Sequence, residues 1–311
     1  MGARDALRFE RPAGQPFDLD RADDFARWRE WKLGHAARSV DELMVEVGDP
    51  AHLSGGERQA LLQRLAMHNM ALYRSARTEA DPGLPLALGA QLGLRRLDTN
   101  WLAHEDGISH IAVSDQRDER GGFIPYTDRA IRWHTDGYYH PDERLIRGMI
   151  LHAVRDAAHG GDNRLADHEM LYLHLRDRSP DLVRALMDPC AMTIPAREDE
   201  RGIARPAQTG PVFSVDPQGR LHLRYTARTR SIAWKDDAAT QAAVQAIEEL
   251  LEQPWPWVLQ ARLTPGTGLV CHNVLHDRSA FVDDARYPRL LYRARFLDRA
   301  DEPEGPTWRS G

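Results

Sequence analysis

The chain predicts a closed or folded β architecture, mostly strand with helical decoration. Short strand-like segments are spread over the last two-thirds of the 311 residues, whereas helical patterns concentrate at the start and in one later insertion. The regular strand–helix alternation of a parallel sheet is missing, and no Gly-rich phosphate loop of either common kind occurs.

Taken in order, residues 18–37 suit a helix, with Phe25, Trp28 and Trp31 recurring at helical spacing among charged residues. A second helix begins near Ser54, where Ser54 and Glu57 form a capping-box signature ahead of Leu61, Leu62 and Leu65. Residues 68–77 run into a strand, Pro82 and Pro85 mark a turn, and 86–94 reads as helix. The charged, glycine-bearing stretch 115–122 reads as an exposed loop, either an inert surface loop or, lying just upstream of the His-x-Asp strand, a lid. Residues 148–154 have strand character, and Gly160-Gly161 punctuates the chain before Asp162-Asn163. Asp167 caps a helix through Arg176, and Ser179-Pro180 opens another through Met187, with proline where its missing donor is harmless. Residues 195–211, rich in charge, Pro and Gly, read as one long loop. A strand over 221–226, a helix over 238–251 and three closing strands at 257–263, 268–276 and 289–297 complete the pattern.

Composition bounds the function. Hydrophobic residues at 42% and charged residues at 28% are those of a globular protein, long enough here to bury a substantial core. The net charge of −6, with no compensating basic block, argues against nucleic acid as partner. Two cysteines, Cys190 and Cys271, lie far apart, so neither a disulfide framework nor a zinc ribbon is implied and a reducing, cytoplasmic setting fits. No signal peptide and no membrane-spanning run is read.

The chemistry centres on residues 131–139, Ile-Arg-Trp-His-Thr-Asp-Gly-Tyr-Tyr. In an extended segment side chains two apart share a face, so His134 and Asp136 converge on one point, as two cis ligands of a metal do. Gly137 then lets the backbone turn away. A third ligand is sought in Cys271-His272-Asn273-Val274-Leu275-His276-Asp277-Arg278. Two histidines and one carboxylate on one face of iron leave positions free for substrate and oxygen, and zinc competes for the same donors. His272 and His276 are four apart and share a face on a strand, so spacing does not choose between them. Along 289–297, Arg289, Leu291, Arg293 and Arg295 project to one side; as a pocket wall, buried guanidinium groups there would call for an anion such as a carboxylate. The alternative is the wet face of an edge strand.

Together these segments resemble the taurine dioxygenase / 2,4-dichlorophenoxyacetate dioxygenase (TauD/TfdA-like) family of Fe(II)/2-oxoglutarate-dependent oxygenases, with gamma-butyrobetaine hydroxylase-like features. The matching phrases are Trp133-His134-Thr135-Asp136, Gly160-Gly161-Asp162-Asn163, Pro265-Gly266-Thr267-Gly268 leading into Val274-Leu275-His276-Asp277-Arg278, and Leu291-Tyr292-Arg293-Ala294. They fall in the family's order over about residues 120–298. The resemblance implies a double-stranded β-helix (jelly roll) core over 96–311, with a helical insertion at about 163–252 and a helical region at 1–95 packed on it. It implies His134, Asp136 and His276 as metal ligands, Arg293 as partner of the far carboxylate of 2-oxoglutarate, and Asn163 in the same site. The pair preceding the distal histidine departs from the pattern as His272-Asn273, which keeps His272 open as ligand. The His276 to Arg293 separation is slightly long, which keeps Arg289 open as the carboxylate partner.

The implied activity is a dioxygenase that hydroxylates or otherwise oxidises a small organic molecule, with Fe(II) as cofactor, 2-oxoglutarate as cosubstrate, O2 consumed, and succinate and CO2 released. Retention of the Asp136 carboxylate favours hydroxylation over halogenation. Tyr126, Trp133, Tyr138 and Tyr139 are the candidate substrate wall, an aromatic set suited to a quaternary ammonium, while Arg129, Arg132 and His140 would suit an anion instead. The chain is expected to form a homo-oligomer and to bind neither nucleic acid nor membrane. The competing readings are a metal- or acid-binding sensor without turnover and a zinc hydrolase using Asp277 as base.

Overall fold

The computed structural model describes residues 11–98, 107–114, 123–199, 202–228, 232–284 and 286–300, and is mostly sheet with helices packed around it. Two sheets carry the architecture. Their strands are β1 (Met44–Glu46), β2 (Met70–Arg74), β3 (Ser109–Ile111), β4 (Ile131–His134), β5 (Gly148–Arg155), β6 (Asn163–Ala166), β7 (Val258–Ala261), β8 (Thr267–Cys271), β9 (Leu275–Arg278) and β10 (Leu290–Phe296). The six-stranded sheet has the order β1-β2-β8-β5-β10-β3, and the four-stranded sheet β7-β6-β9-β4. The expected N-terminal helices at Ala22–His35 and Gly55–His68 are present, and the 1–95 region also lends β1 and β2 to the larger sheet.

β5 sits centrally, antiparallel to both β8 and β10. Its Met149, Leu151 and Ala153 meet Leu165, Leu259 and Ala261 of the smaller sheet, filling the space between the two sheets with Leu269, Cys271 and Leu291. Ile150 and Val154 face the other way, with Val270, Tyr292 and Ala294, against Leu61, Leu65 and Leu88 of the helices. This two-residue alternation buries both faces, and each fully buried Leu or Ile contributes about 2 kcal/mol. A third core holds Trp28 and Tyr172 with the helices His168–Arg178 and Ala238–Glu252.

Several local expectations are met. Ser54 and Glu57 make the capping box, and Asp167 and Ser179 each cap the helix that follows; Asp237, not expected as a cap, does the same for the helix Ala238–Glu252. Two differ. The single strand expected over 268–276 is two strands in different sheets: β8 ends at Cys271, Asn273 adopts φ 53, and β9 begins at Leu275. Asparagine tolerates the left-handed region, so the apolar pattern runs on through a change of sheet that it does not announce. The long loop expected over 195–211 instead holds a hairpin, Arg197–Asp199 with Gly202–Arg205, and the strand Gln208–Gly210, which pairs with Met192–Ile194. The candidate lid at 115–122 lies outside the described residues. No helix among the described residues is long and apolar enough to cross a membrane.

One buried ionic cluster ties the N-terminal helix to the core. Lys32, 1% exposed, lies 2.6 Å from Asp167 and 2.7 Å from Glu169, and it donates to the Met67 carbonyl at 2.7 Å. Arg11 reaches Glu169 at 2.8 Å, and Asn69 donates to Asp167 at 2.9 Å. Removing the cation from such a cluster leaves buried carboxylates uncompensated. Lys32→Met is therefore expected to destabilise the protein by about 3 kcal/mol or more, read from the urea midpoint. An unchanged midpoint would show that the cluster does not hold that helix.

Candidate metal centre and its cavity

β4 and β9 are adjacent antiparallel strands, and their register sets His134 directly opposite His276. The two rings sit 4.2 Å apart between centroids. Asp136 follows two residues after His134, beyond the strand end, and one ligand atom from each of His134, Asp136 and His276 lies within 4.8 Å of the others. Among the described residues no other group of three or more His, Cys, Asp or Glu side chains converges in this way.

Both imidazoles are oriented by their own strands. The carbonyls of Arg132 and Val274 accept at 2.9 Å from Nδ1 of His134 and of His276 respectively. A carbonyl only accepts, so each Nδ1 carries the proton and each Nε2 keeps a lone pair for a metal. Burial is the main cause that pushes His134 down to about 3, helped by the neighbouring His276 and opposed by Asp136, so its ring is neutral.

Asp136 is fixed through its backbone. Asn273, in the turn between β8 and β9, accepts from the Asp136 amide at 2.8 Å and donates to the Asp136 carbonyl at 2.9 Å and the Ile146 carbonyl at 2.7 Å. At Gly137, φ is +67 and an added Cβ would run into Ile146 and His140, which makes glycine necessary there. Burial alone would raise the Asp136 carboxyl. Arg293 and Arg295, with lesser help from the histidines, outweigh it and hold the group well below the usual carboxylate range. Arg293 donates to Asp136 Oδ1 at 3.2 Å, and Oδ2 is buried with no hydrogen-bond partner among the described residues. Two free Nε2 lone pairs and an unpartnered carboxylate oxygen are what a two-histidine, one-carboxylate metal site requires.

The imidazoles open onto a cavity of about 50 Å³ whose wall includes Asn163, Arg289, Leu291 and Arg293. Arg289 is 4% exposed, so this edge of β10 is a pocket wall rather than a wet face. Its guanidinium lies 5.1 Å from the Phe281 ring and has no carboxylate within ion-pair distance among the described residues. Burial draws Arg289 down to about 10, against the pull of Asp283 and Asp156. Glycine at 161 leaves open the space beside its Nε. Asn163 spends its amide N–H on the Asp277 carbonyl at 3.0 Å, leaving Oδ1 buried without a partner among the described residues.

The remaining candidates fall in different places. His272 is buried away from this group, bonded to Asn69 at 3.1 Å and to Arg299 at 2.9 Å within the Lys32 cluster, which corrects the reading that kept it open as a ligand. Tyr126 and Trp133 lie in hydrophobic cores, the latter with Arg164 4.8 Å from its ring. Tyr138 and Tyr139 are half-buried, and Tyr139 Oη accepts from Arg295 Nη1 at 3.1 Å. Arg295 in turn pairs with the buried Asp98, which also takes Arg144. Asp277, the candidate base of a zinc hydrolase, has both carboxylate oxygens engaged by Arg164, through its amide and its guanidinium. Arg129 and Arg132 are exposed. Neither Asn273 nor Asp98 was singled out from sequence; the unusual His272-Asn273 pair was the only signal available for the first, and there was none for the second.

A family model described as "Taurine catabolism dioxygenase TauD, TfdA family" matches residues 42–295. A curated relative, uridine-5′-phosphate dioxygenase from Amycolatopsis sp, is 33% identical over 190 residues, which cover 60% of this chain and 66% of the relative, just under two thirds of its length. Among solved structures, non-haem iron oxygenase OrfP in complex with Fe and alpha-ketoglutaric acid superposes with a TM-score of 0.58 at 17% identity, covering 95% of this chain and 92% of that one. Asparagine oxygenase in complex with Fe(II), 2S,3S-3-hydroxyasparagine and succinate gives 0.57 at 14% identity, covering 96% and 92%. At these identities the structural likeness is one of fold.

Outer groups that orient a ligand typically change metal affinity roughly 10–100-fold when removed. Asn273→Ala is expected to weaken divalent-metal binding by about that factor while the protein stays folded, measured by competition with a chelating dye. Wild-type affinity in a folded Asn273→Ala variant would contradict the role of Asn273.

Proposed function

As this chain belongs to the TauD, TfdA family of dioxygenases, we propose that it is an Fe(II)- and 2-oxoglutarate-dependent oxidoreductase that oxidises a small organic molecule, with the two sheets forming a double-stranded β-helix. His134, Asp136 and His276 hold the iron. The observation that carries this reading is the convergence of His134, Asp136 and His276, with an Asp136 oxygen that has no partner among the described residues, beside a cavity walled by both histidines, Arg289 and Arg293.

When bound, iron and 2-oxoglutarate supply the oxidising chemistry, consuming O2 and releasing succinate and CO2 as hydrogen is abstracted from the substrate. The chain's own groups position and shield it. The carbonyls of Arg132 and Val274 hold the two rings in the ligating tautomer. Arg293, already paired with Asp136, keeps that carboxylate ionised at the metal end of the cavity. Arg289, just before β10 and four residues from Arg293, so on the order of 13 Å away in extended chain, is the arginine of this row whose guanidinium has no carboxylate within ion-pair distance among the described residues. We therefore assign the far carboxylate of 2-oxoglutarate to Arg289 rather than to Arg293, which already donates to the ligand carboxylate through Nη1. Asn163, its N–H committed elsewhere, shapes the wall between them. Leu291 and Ile131 keep that wall apolar, which strengthens the charge pairing inside.

The similarity to uridine-5′-phosphate dioxygenase supports a small phosphorylated molecule of nucleotide type as the substrate. The zinc-hydrolase reading loses its base because Asp277 is held by Arg164.

Truncating one partner of a buried charge pair costs 2–5 kcal/mol. In a succinate-release assay, Arg289→Ala is expected to raise the KM for 2-oxoglutarate roughly 30-fold or more. Arg293→Ala is expected to act mainly through iron retention. A 2-oxoglutarate KM that moves with Arg293 and not with Arg289 would reverse the assignment.

A further inference from the structure

The segment that follows strand Leu221–Leu223 runs alongside the metal-bearing strand. His134 pairs with Thr226, Thr135 donates to the Tyr225 carbonyl at 2.9 Å, and the Ala227 amide donates to the Trp133 carbonyl at 2.8 Å. Cross-strand partners share a face, so Thr226 lies on the His134 side of the ladder, and Arg228, two residues on in the same register, lies on that side as well. Arg132, two residues before His134, is on the same face and is exposed. Tyr138 comes in from the turn after the ligands, its ring 5.2 Å from that of Tyr139 between centroids, with Arg228 and Arg205 near enough to act on its hydroxyl electrostatically.

Arg205 reaches this spot from the hairpin that sequence patterning left as loop. Its guanidinium lies 5.7 Å from the Tyr139 ring centre, and it donates to the carbonyls of Pro195 at 2.6 Å and Pro206 at 3.3 Å. Carbonyls orient a guanidinium without neutralising it. Among the described residues neither Arg205 nor Arg228 has a carboxylate within ion-pair distance. The hairpin is not a loose flap at this point: Arg224, 4% exposed, binds the carbonyls of Tyr138 at 2.8 Å, Met192 at 3.1 Å and Gln208 at 2.7 Å, tying the region to the segment after Asp136. The result is two cations and a half-buried phenol held on one side of the metal face, distinct from Arg289 and Arg293 on β10.

We propose that Arg228 and Arg205, with the Tyr138 hydroxyl, receive the phosphate of the substrate and so set its specificity for a phosphomonoester. A doubly charged phosphate matches two unneutralised guanidinium groups and one neutral donor, and it fixes the remainder of the molecule toward His134 by a distance the ladder determines. This inference rests on the dioxygenase reading for what happens to the bound molecule, while the anion site stands on its own geometry.

Calorimetric titration separates the two. The full-length protein, loaded anaerobically with Fe(II) and 2-oxoglutarate, is titrated with uridine 5′-phosphate, with uridine and with inorganic phosphate. The wild type is expected to bind the nucleotide at least tenfold more tightly than the nucleoside, and inorganic phosphate is expected to compete. In Arg228→Ala and Arg205→Ala that preference falls about tenfold or more, and Arg228→Lys restores part of it. A nucleotide preference unchanged in both alanine variants overturns the proposal, as does a wild type that does not distinguish nucleotide from nucleoside. Failure of the dioxygenase reading shows differently, as absence of 2-oxoglutarate binding and of succinate, and the same titration repeated on metal-free protein then still decides the anion site.

Discussion

Cross-strand pairing of β4 with β9 is the constraint on which the rest of the site depends. It places His134 opposite His276, and because side chains alternate along a strand, a one-residue slip in either would send an imidazole to the other face. β9 is held in register from its other side by β6, where Asp277 clasps Arg164. Asp136 lies beyond the end of β4, where no ladder fixes it, and Asn273 supplies the missing restraint from the turn by which the chain passes between sheets. The crossover therefore does two things at once: it starts the strand bearing His276, and it anchors the backbone of Asp136.

Charge balance explains why β10 carries arginines on its inner edge. A buried carboxylate is stable as an anion only with compensating charge close by, and Arg293 supplies it directly while Arg295 acts from behind. Burial opposes the charge on Arg295, but Tyr139, Asp136 and Asp98 outweigh it and keep it charged. Arg295 thus links the buried Asp98 to the half-buried Tyr139 by hydrogen bonds beside the metal group. Arg289 stands outside that linkage. It is the member of the row whose charge is left for something else to meet, which is the physical content of assigning it the cosubstrate.

Much of this was legible from sequence because it depends on local periodicity. His-x-Asp on an extended segment, the capping box at Ser54 and the apolar run of β5 all follow from spacing alone, and family resemblance then favoured His276 while leaving His272 open. What sequence patterning left open is set by tertiary partners. His272 and His276 share a face only on a continuous strand, and the left-handed Asn273 breaks that strand, so His272 turns to Asn69 and Arg299 while His276 meets His134. Trp133 and Tyr126 are aromatic residues near the ligands, yet they are claimed by the cores because neighbouring elements pack on them. The short strands within 197–210 are rich in charge, Pro and Gly and lack a hydrophobic alternation, so nothing in their composition marked them as sheet.

Anaerobic titration with Fe(II) and 2-oxoglutarate, followed by the visible charge-transfer band of the chelate, tests the central claim most directly when His276→Ala and His272→Asn are compared with the wild type. The two-strand geometry predicts a band in the wild type that survives in His272→Asn and is lost in His276→Ala. A band lost in His272→Asn but kept in His276→Ala, or no band in the wild type alongside tight zinc binding, would contradict it.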